Sequence, residues 1–218
     1  MTQFRPSGGY RQLRTFEIAT TIYDATFNFC ERFVQSRRMA DQMVQAARSG
    51  RQNIAEGSRA SRTSAHTELR LTNVARSSLE ELLLDYEDYL RHRRLRRWEM
   101  DDSETKAVRS IGRKRAQAQK DRTNQPDRPS VSPEELYTLY TDWLDHQDPA
   151  IRANCTLCLI HQANYLLDRQ IETLEQTFIE DGGYTEQLAA ARVAHRTAND
   201  SRKHHRSDRS DQSQDQTD

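Results

Sequence analysis

The sequence predicts an all-α protein: an up-and-down four-helix bundle with two long helices, a basic linker and a short helical C-terminal suffix. Three observations predict it. Apolar residues recur every three to four positions through four separate stretches, which is the helical period. Hydrophobic residues make up 34% of the 218 residues and charged ones 30%, a balance that suits long helices burying a narrow stripe. Serine, threonine and proline stand where helices would start, and glycine where they would stop.

Residues 1–11, with Pro6, Gly8 and Gly9, read as a loose arm. The first helix is expected over residues 12–34, with Phe16, Thr20, Tyr23, Phe27, Cys30 and Val34 on one stripe and Ile18, Ile22, Phe29 and Phe33 broadening it. Two adjacent stripes suggest more than one neighbour, as in a bundle that also oligomerises. After a break near Gln35 and Ser36, a second helix over residues 37–56 gathers the small residues Ala46, Ala47 and Gly50, and Gly57 reads as its C-cap. Thr63 or Ser64 caps a third helix over residues 64–97, whose apolar face includes Leu69, Thr72, Leu79, Leu83, Tyr86 and Leu90.

Residues 99–131 read as a basic linker, with room for a short helix over residues 106–120. The suffix, residues 132–198, opens on a strong start signal. Ser132 is the N-cap, Pro133 follows at N1, Glu135 completes a capping box, and Val131 and Leu136 are placed for a hydrophobic staple. That helix runs to about His146. Asp148 and Pro149 then start the fourth bundle helix, residues 149–181, with Ala153, Leu157, Ile160, Asn164, Leu167, Ile171, Leu174 and Phe178 on its stripe. An amide at Asn164 on such a stripe commonly fixes register. Gly182 and Gly183 stop the helix, residues 185–198 form a terminal one, and the apolar-free residues 199–218 form a disordered tail.

The motif Asn53-Ile54-Ala55-Glu56-Gly57, followed by a Ser/Arg turn and by Ala75-Arg76-Ser77-Ser78-Leu79-Glu80-Glu81-Leu82, resembles the four-helix-bundle proteins related to those encoded in intervening sequences of large-subunit rRNA genes. The accessory variability proteins of diversity-generating retroelements look like members of the same superfamily. Residues 154–183, with Leu159-Ile160-His161-Gln162-Ala163-Asn164-Tyr165-Leu166-Leu167, are similar to the suffix region that some of these proteins carry. The retroelement branch implies a ring-like homo-oligomer, a pentamer, that binds RNA and a reverse transcriptase. This chain departs from it by inserting a basic linker and adding an acidic suffix, and no reverse transcriptase partner follows from its residues.

The polar, Arg-bearing N-terminus has no apolar core of a signal peptide, and no uncharged apolar run reaches the roughly 18 residues of a membrane span. The expected setting is the cytoplasm, with no membrane partner. Cys155 and Cys158 form a C-x-x-C with His161 three residues on, but a zinc or redox site would need Cys30 or His146 from other helices; buried reduced cysteines account for the pattern more simply. No histidine has an acid three residues before it, which excludes the usual di-iron pattern, and there is no Gly-rich phosphate loop or nucleophile elbow. The expectation is a protein that is not an enzyme and holds no cofactor or metal.

Charge carries the functional signal. Residues 91–122 hold twelve basic residues against five acids, a net of +7, whereas residues 123–198 hold five arginines against twelve acids, a net of −7. A basic surface of this kind suits an anionic partner. The candidate nucleic-acid-binding residues are Arg91, Arg93, Arg94, Arg96, Arg97, Arg113, Lys114 and Arg115, with RNA the first expectation. The rival expectation is a protein-interaction scaffold whose basic segment is neutralised by its own suffix, on Asp168, Glu172 and Glu175.

Overall fold

The computed structural model describes residues 9–61, 64–122 and 132–181, together with positions 189, 192–194, 196 and 197. The expectations for residues 1–8, for the linker at 123–131, for the Gly182-Gly183 stop and for the tail at 199–218 lie outside the described residues, as does most of the terminal helix. Among the described residues the chain is helical throughout, without strands. A 3-10 turn, Gly9–Gln12, precedes α1 (Arg14–Phe33), α2 (Arg37–Ala60), α3 (Ala65–His92), α4 (Ser103–Arg122), α5 (Pro133–Thr138), α6 (Thr141–Leu144) and α7 (Pro149–Asp181). The 33 residues of α7 span about 50 Å at about 1.5 Å per residue.

Serines start three of these helices. Ser36 accepts a hydrogen bond from the Met39 N–H, Ser64 from Thr67 and Ser132 from Glu135, whose carboxylate returns the bond to the Ser132 N–H. Each satisfies a backbone donor that has no partner inside its helix. The α1–α2 break, which neither proline nor glycine marks, is therefore set by Ser36. The helix begun at Ser132 is shorter than expected: it ends at Thr138, and α6 resumes after Tyr140.

α1 packs on α2 and α7, and α3 packs on the same two helices, so the four long helices contact one another in a closed cycle. The core between them is built from Ile22 and Phe29 of α1, Met43 and Ile54 of α2, Leu79, Leu82 and Tyr86 of α3, and Ile160 and Leu167 of α7, all essentially without exposed surface. Phe29 stacks edge-on to Tyr89 and tilts against Tyr86, whose hydroxyl donates to Thr26. α4 forms an outer layer on α7, while α5 sits on α1 and α6 on α7.

The inward face of α1 differs from expectation. Phe27 is 45% exposed and Phe16 and Tyr23 are half-buried, while Ala19, Ile22, Thr26 and Phe29 point inward. Thr20 is buried as its place on the expected stripe requires, whereas Thr21, which apolar periodicity overlooks, is buried too; neither has a hydrogen-bond deficit, because their hydroxyls donate to the carbonyls of Phe16 and Glu17 one turn back. The arm is also less loose than expected at its end, where Tyr10 packs edge-on to Phe16 and its hydroxyl accepts from Arg59.

Gly57 is not a C-cap. α2 continues through it to Ala60, and its hydrogen faces α3, where an added Cβ would lie 3.4 Å from the Glu68 carbonyl oxygen and 3.4 Å from Leu71. At Gly50 the approach is tighter: an added Cβ would stand 2.8 Å and 2.9 Å from two carbons of the fully buried Leu79. Gly50→Ala is therefore expected to destabilise the fold by about 1 kcal/mol, as overpacking outweighs the gain in helix propensity. Gly57→Ala, in contrast, is expected to leave stability unchanged within about 1 kcal/mol or to raise it. Urea denaturation of both variants checks this; a larger loss at Gly57 than at Gly50 would contradict the packing described.

Candidate nucleic-acid interface

α3 stops five residues short of the expected Arg97. Its end is a Schellman motif, in which the Leu95 N–H donates to the Leu90 carbonyl and the Arg94 N–H to that of Arg91. The residue in the left-handed conformation is Arg94, with φ 55°, where a glycine is usual. A β-carbon there costs about 1–2 kcal/mol. Leu95 repays part of it by packing back on the core.

The chain then crosses to α7, and one amide fixes the crossing. Asn154, 2% exposed, donates from Nδ2 to the Arg96 carbonyl at 2.8 Å and to the Ala150 carbonyl at 2.8 Å, and its Oδ1 accepts from the Trp98 N–H at 2.8 Å. This holds the Trp98 ring edge-on to Trp143, with centroids 5.5 Å apart. The Glu99 N–H donates to Asp102, and α4 begins at Ser103. α4 lies close on α7 at Gly112, where an added Cβ would run into the Gln162 side chain.

The predicted basic residues do not form one stripe. Arg91 pairs with Asp88, Arg96 with Asp102 at 2.6 Å and Arg97 with Glu87, all on partly exposed side chains. The Arg93 guanidinium sits 3.8 Å over the Tyr89 ring. Arg94, Arg113 and Lys114 are exposed and pair with no carboxylate among the described residues. Arg115 is a different kind of residue. It turns inward to Glu17 of α1 at 3.1 Å, with the two side chains only 14% and 8% exposed, so it joins α4 to the bundle and is not available to a ligand. The suffix acids point elsewhere: Asp168 pairs with Arg76 of α3, and Glu172 with Arg169 of its own helix.

What the corner, α4 and α7 build together is a groove of about 530 Å³. Its lining holds Arg97, Arg109 and Arg113 with one acid, Glu99, and the exposed side chains of Met100 and Tyr165; Trp98 is half-buried beside them, and the less exposed Leu157, Cys158 and Leu166 make up its deeper, apolar part. Arg109 bonds to the Met100 sulfur at 3.7 Å and has no carboxylate partner among the described residues. His161 also lines the groove. Partial desolvation, with the neighbouring Arg97 charge, lowers its pKa from the ordinary histidine value. Met100 and Tyr165 escape a reading of sequence alone, and Arg109 is visible there only as one charge of the basic block. Tyr165 sits inside an apolar run that reads as core, yet is 64% exposed, on the side of α7 away from Ile160 and Leu167.

The cysteines belong to the packing. Burial raises the Cys30 thiol to about 12, Cys155 is fully buried and its thiol is also raised, and among the described residues no three His, Cys, Asp or Glu side chains gather into a metal-binding group. No helix among the described residues is long and apolar enough to cross a membrane.

No protein-family model matches the chain, and no curated protein or solved structure matches it.

Removing the Asn154 amide leaves the Arg96 carbonyl and the Trp98 N–H without their partner in the part-buried corner. Asn154→Ala is expected to cost on the order of 3 kcal/mol and to shift tryptophan emission to the red as Trp98 loosens. Asn164, whose amide makes one bond to Glu80 while its Oδ1 is unpartnered, serves as the comparison. Asn164→Ala should cost less and leave the emission unmoved; equal losses in the two variants would contradict the clamp.

Proposed function

We propose that this protein is a non-enzymatic, self-associating up-and-down four-helix bundle that binds RNA through the groove between the corner after α3, α4 and α7. The observation that carries this reading is the convergence of Arg97, Arg109 and Arg113 from two parts of the chain on one apolar-floored groove. Cations held at the mouth of a low-dielectric groove attract an anion more strongly than the same charges scattered over a surface. Arginine suits phosphate, since its planar fork donates two parallel hydrogen bonds. Arg94 and Lys114, exposed in the same basic stretch of sequence, add positive charge outside the groove.

The closed cycle of α1, α2, α3 and α7 supports the bundle reading, and the resemblance of the Asn53–Gly57 motif to RNA-binding bundle proteins points the same way. Phe27 on α1 and Val74 and Leu84 on α3, each more than 40% exposed, supply apolar surface for self-association. The scaffold reading draws its support from neutralisation of the basic segment by the suffix. The ion pairs of Asp168 and Glu172 with Arg76 and Arg169 count against it.

Titration of a labelled single-stranded RNA across a salt series tests the proposal. The logarithm of affinity should fall linearly with the logarithm of salt concentration. The double variant Arg109→Glu, Arg113→Glu should lose about tenfold or more in affinity and flatten the slope by about 0.7 per contact removed. The same reversal at Arg37 and Arg38, exposed at the start of α2, should change little. Absence of binding at low salt by the folded protein, or equal losses from the two double variants, would contradict the proposal.

A further inference from the structure

The groove has more in it than phosphate binding requires. Phosphates need cations, and the edge arginines supply them. They do not need an apolar floor, nor Tyr165 and Met100 held 64% and 71% exposed beside it. Large apolar side chains left in solvent at the walls of a concave, cation-edged site point to a ligand that is anionic and also presents flat apolar surface.

We infer that the groove takes the unpaired bases of a single strand, with a base stacked on Tyr165 and the flanking phosphates on Arg109 and Arg113; this rests on the RNA-binding reading above. A duplex keeps its bases stacked inside and could offer the groove only its backbone, leaving the aromatic wall unused. A single strand can turn a base into the groove, and base–aromatic stacking tolerates any sequence because every base has a π face. The dimensions fit. A volume of about 530 Å³ lies in the range of small-ligand sites, which run from about 300 to about 1,000 Å³. Trp98 is held in place by the Asn154 amide and Trp143, and Tyr165 projects from the long continuous helix α7. The imidazole of His161 and the amide of Gln162, both in the lining, can hydrogen-bond to a base edge.

The test compares three probes at one low salt concentration: a single-stranded RNA, the same RNA as a duplex, and inorganic polyphosphate, which carries the charge without bases. Native protein is set against Tyr165→Ala and Tyr165→Phe; the exposure of Tyr165 makes both variants compatible with the fold, which a thermal melt verifies. The expected result is at least about tenfold tighter binding of the single strand than of duplex or polyphosphate, lost in Tyr165→Ala and kept in Tyr165→Phe. Equal affinity for all three probes, unmoved by Tyr165→Ala, overturns the inference and leaves RNA binding through the arginines standing. A single-strand preference that survives Tyr165→Ala also overturns it, because the bases are then read elsewhere. Binding of none of the probes removes both readings together.

Discussion

The corner on which the groove depends hangs on the Asn154 side chain. A chain leaving a helix exposes carbonyls and N–H groups that the helix no longer satisfies, and such groups cannot be buried unpaired. Arg96 and Trp98 present a carbonyl and an N–H of this kind against α7, and one uncharged amide answers both while also bonding back to its own helix at Ala150. From that anchor follow the position of Trp98, the place where α4 begins and the course of α4 across α7 at Gly112. The groove is thus assembled from residues about sixty positions apart, by a contact that uses no charge and so is insensitive to salt.

Charge acts over shorter distances than the sequence suggests. The blocks of +7 and −7 invite a picture of two halves pairing. Instead the basic block is partly neutralised elsewhere: Arg91 and Arg97 pair with acids of α3 and Arg96 with Asp102 in the following turn, all close in sequence, while Arg115 pairs with Glu17 of α1. Exposed pairs of this kind contribute roughly 0–1 kcal/mol each and a polyanion can compete for their cations. The buried Arg115–Glu17 pair is of another sort. Its desolvation is offset only while both partners remain, so it belongs to the docking of α4 and not to the binding surface.

Features encoded locally were legible in the sequence. The capping box at Ser132 uses four consecutive residues and is formed as expected, and the long helix from Pro149 reaches Asp181 because its apolar spacing holds throughout. Features encoded by contact were not. Nothing in the run Arg91 to Arg97 signals a helix end, since arginine and leucine are good helix formers and the stop lies in the left-handed backbone of Arg94. Gly57 carries the usual mark of a C-cap but serves close packing against α3. Asn164 stood out as the amide on an apolar stripe, whereas Asn154, nearer the start of the same helix, makes the three bonds that matter. At the site, Arg97 and Arg113 were readable from charge, but their meeting with Arg109, Met100 and Tyr165 depends on α4 folding back over α7.

The RNA site proposed above is a definite place, the groove between the corner, α4 and α7. Photo-crosslinking with a 4-thiouridine single-stranded RNA, followed by mass-spectrometric mapping of the modified peptides, tests it most directly. The account predicts crosslinks concentrated on the peptides bearing Trp98 and Met100 and on the one bearing Tyr165. Crosslinks confined to α2, or spread evenly over the arginine-bearing peptides, would contradict it.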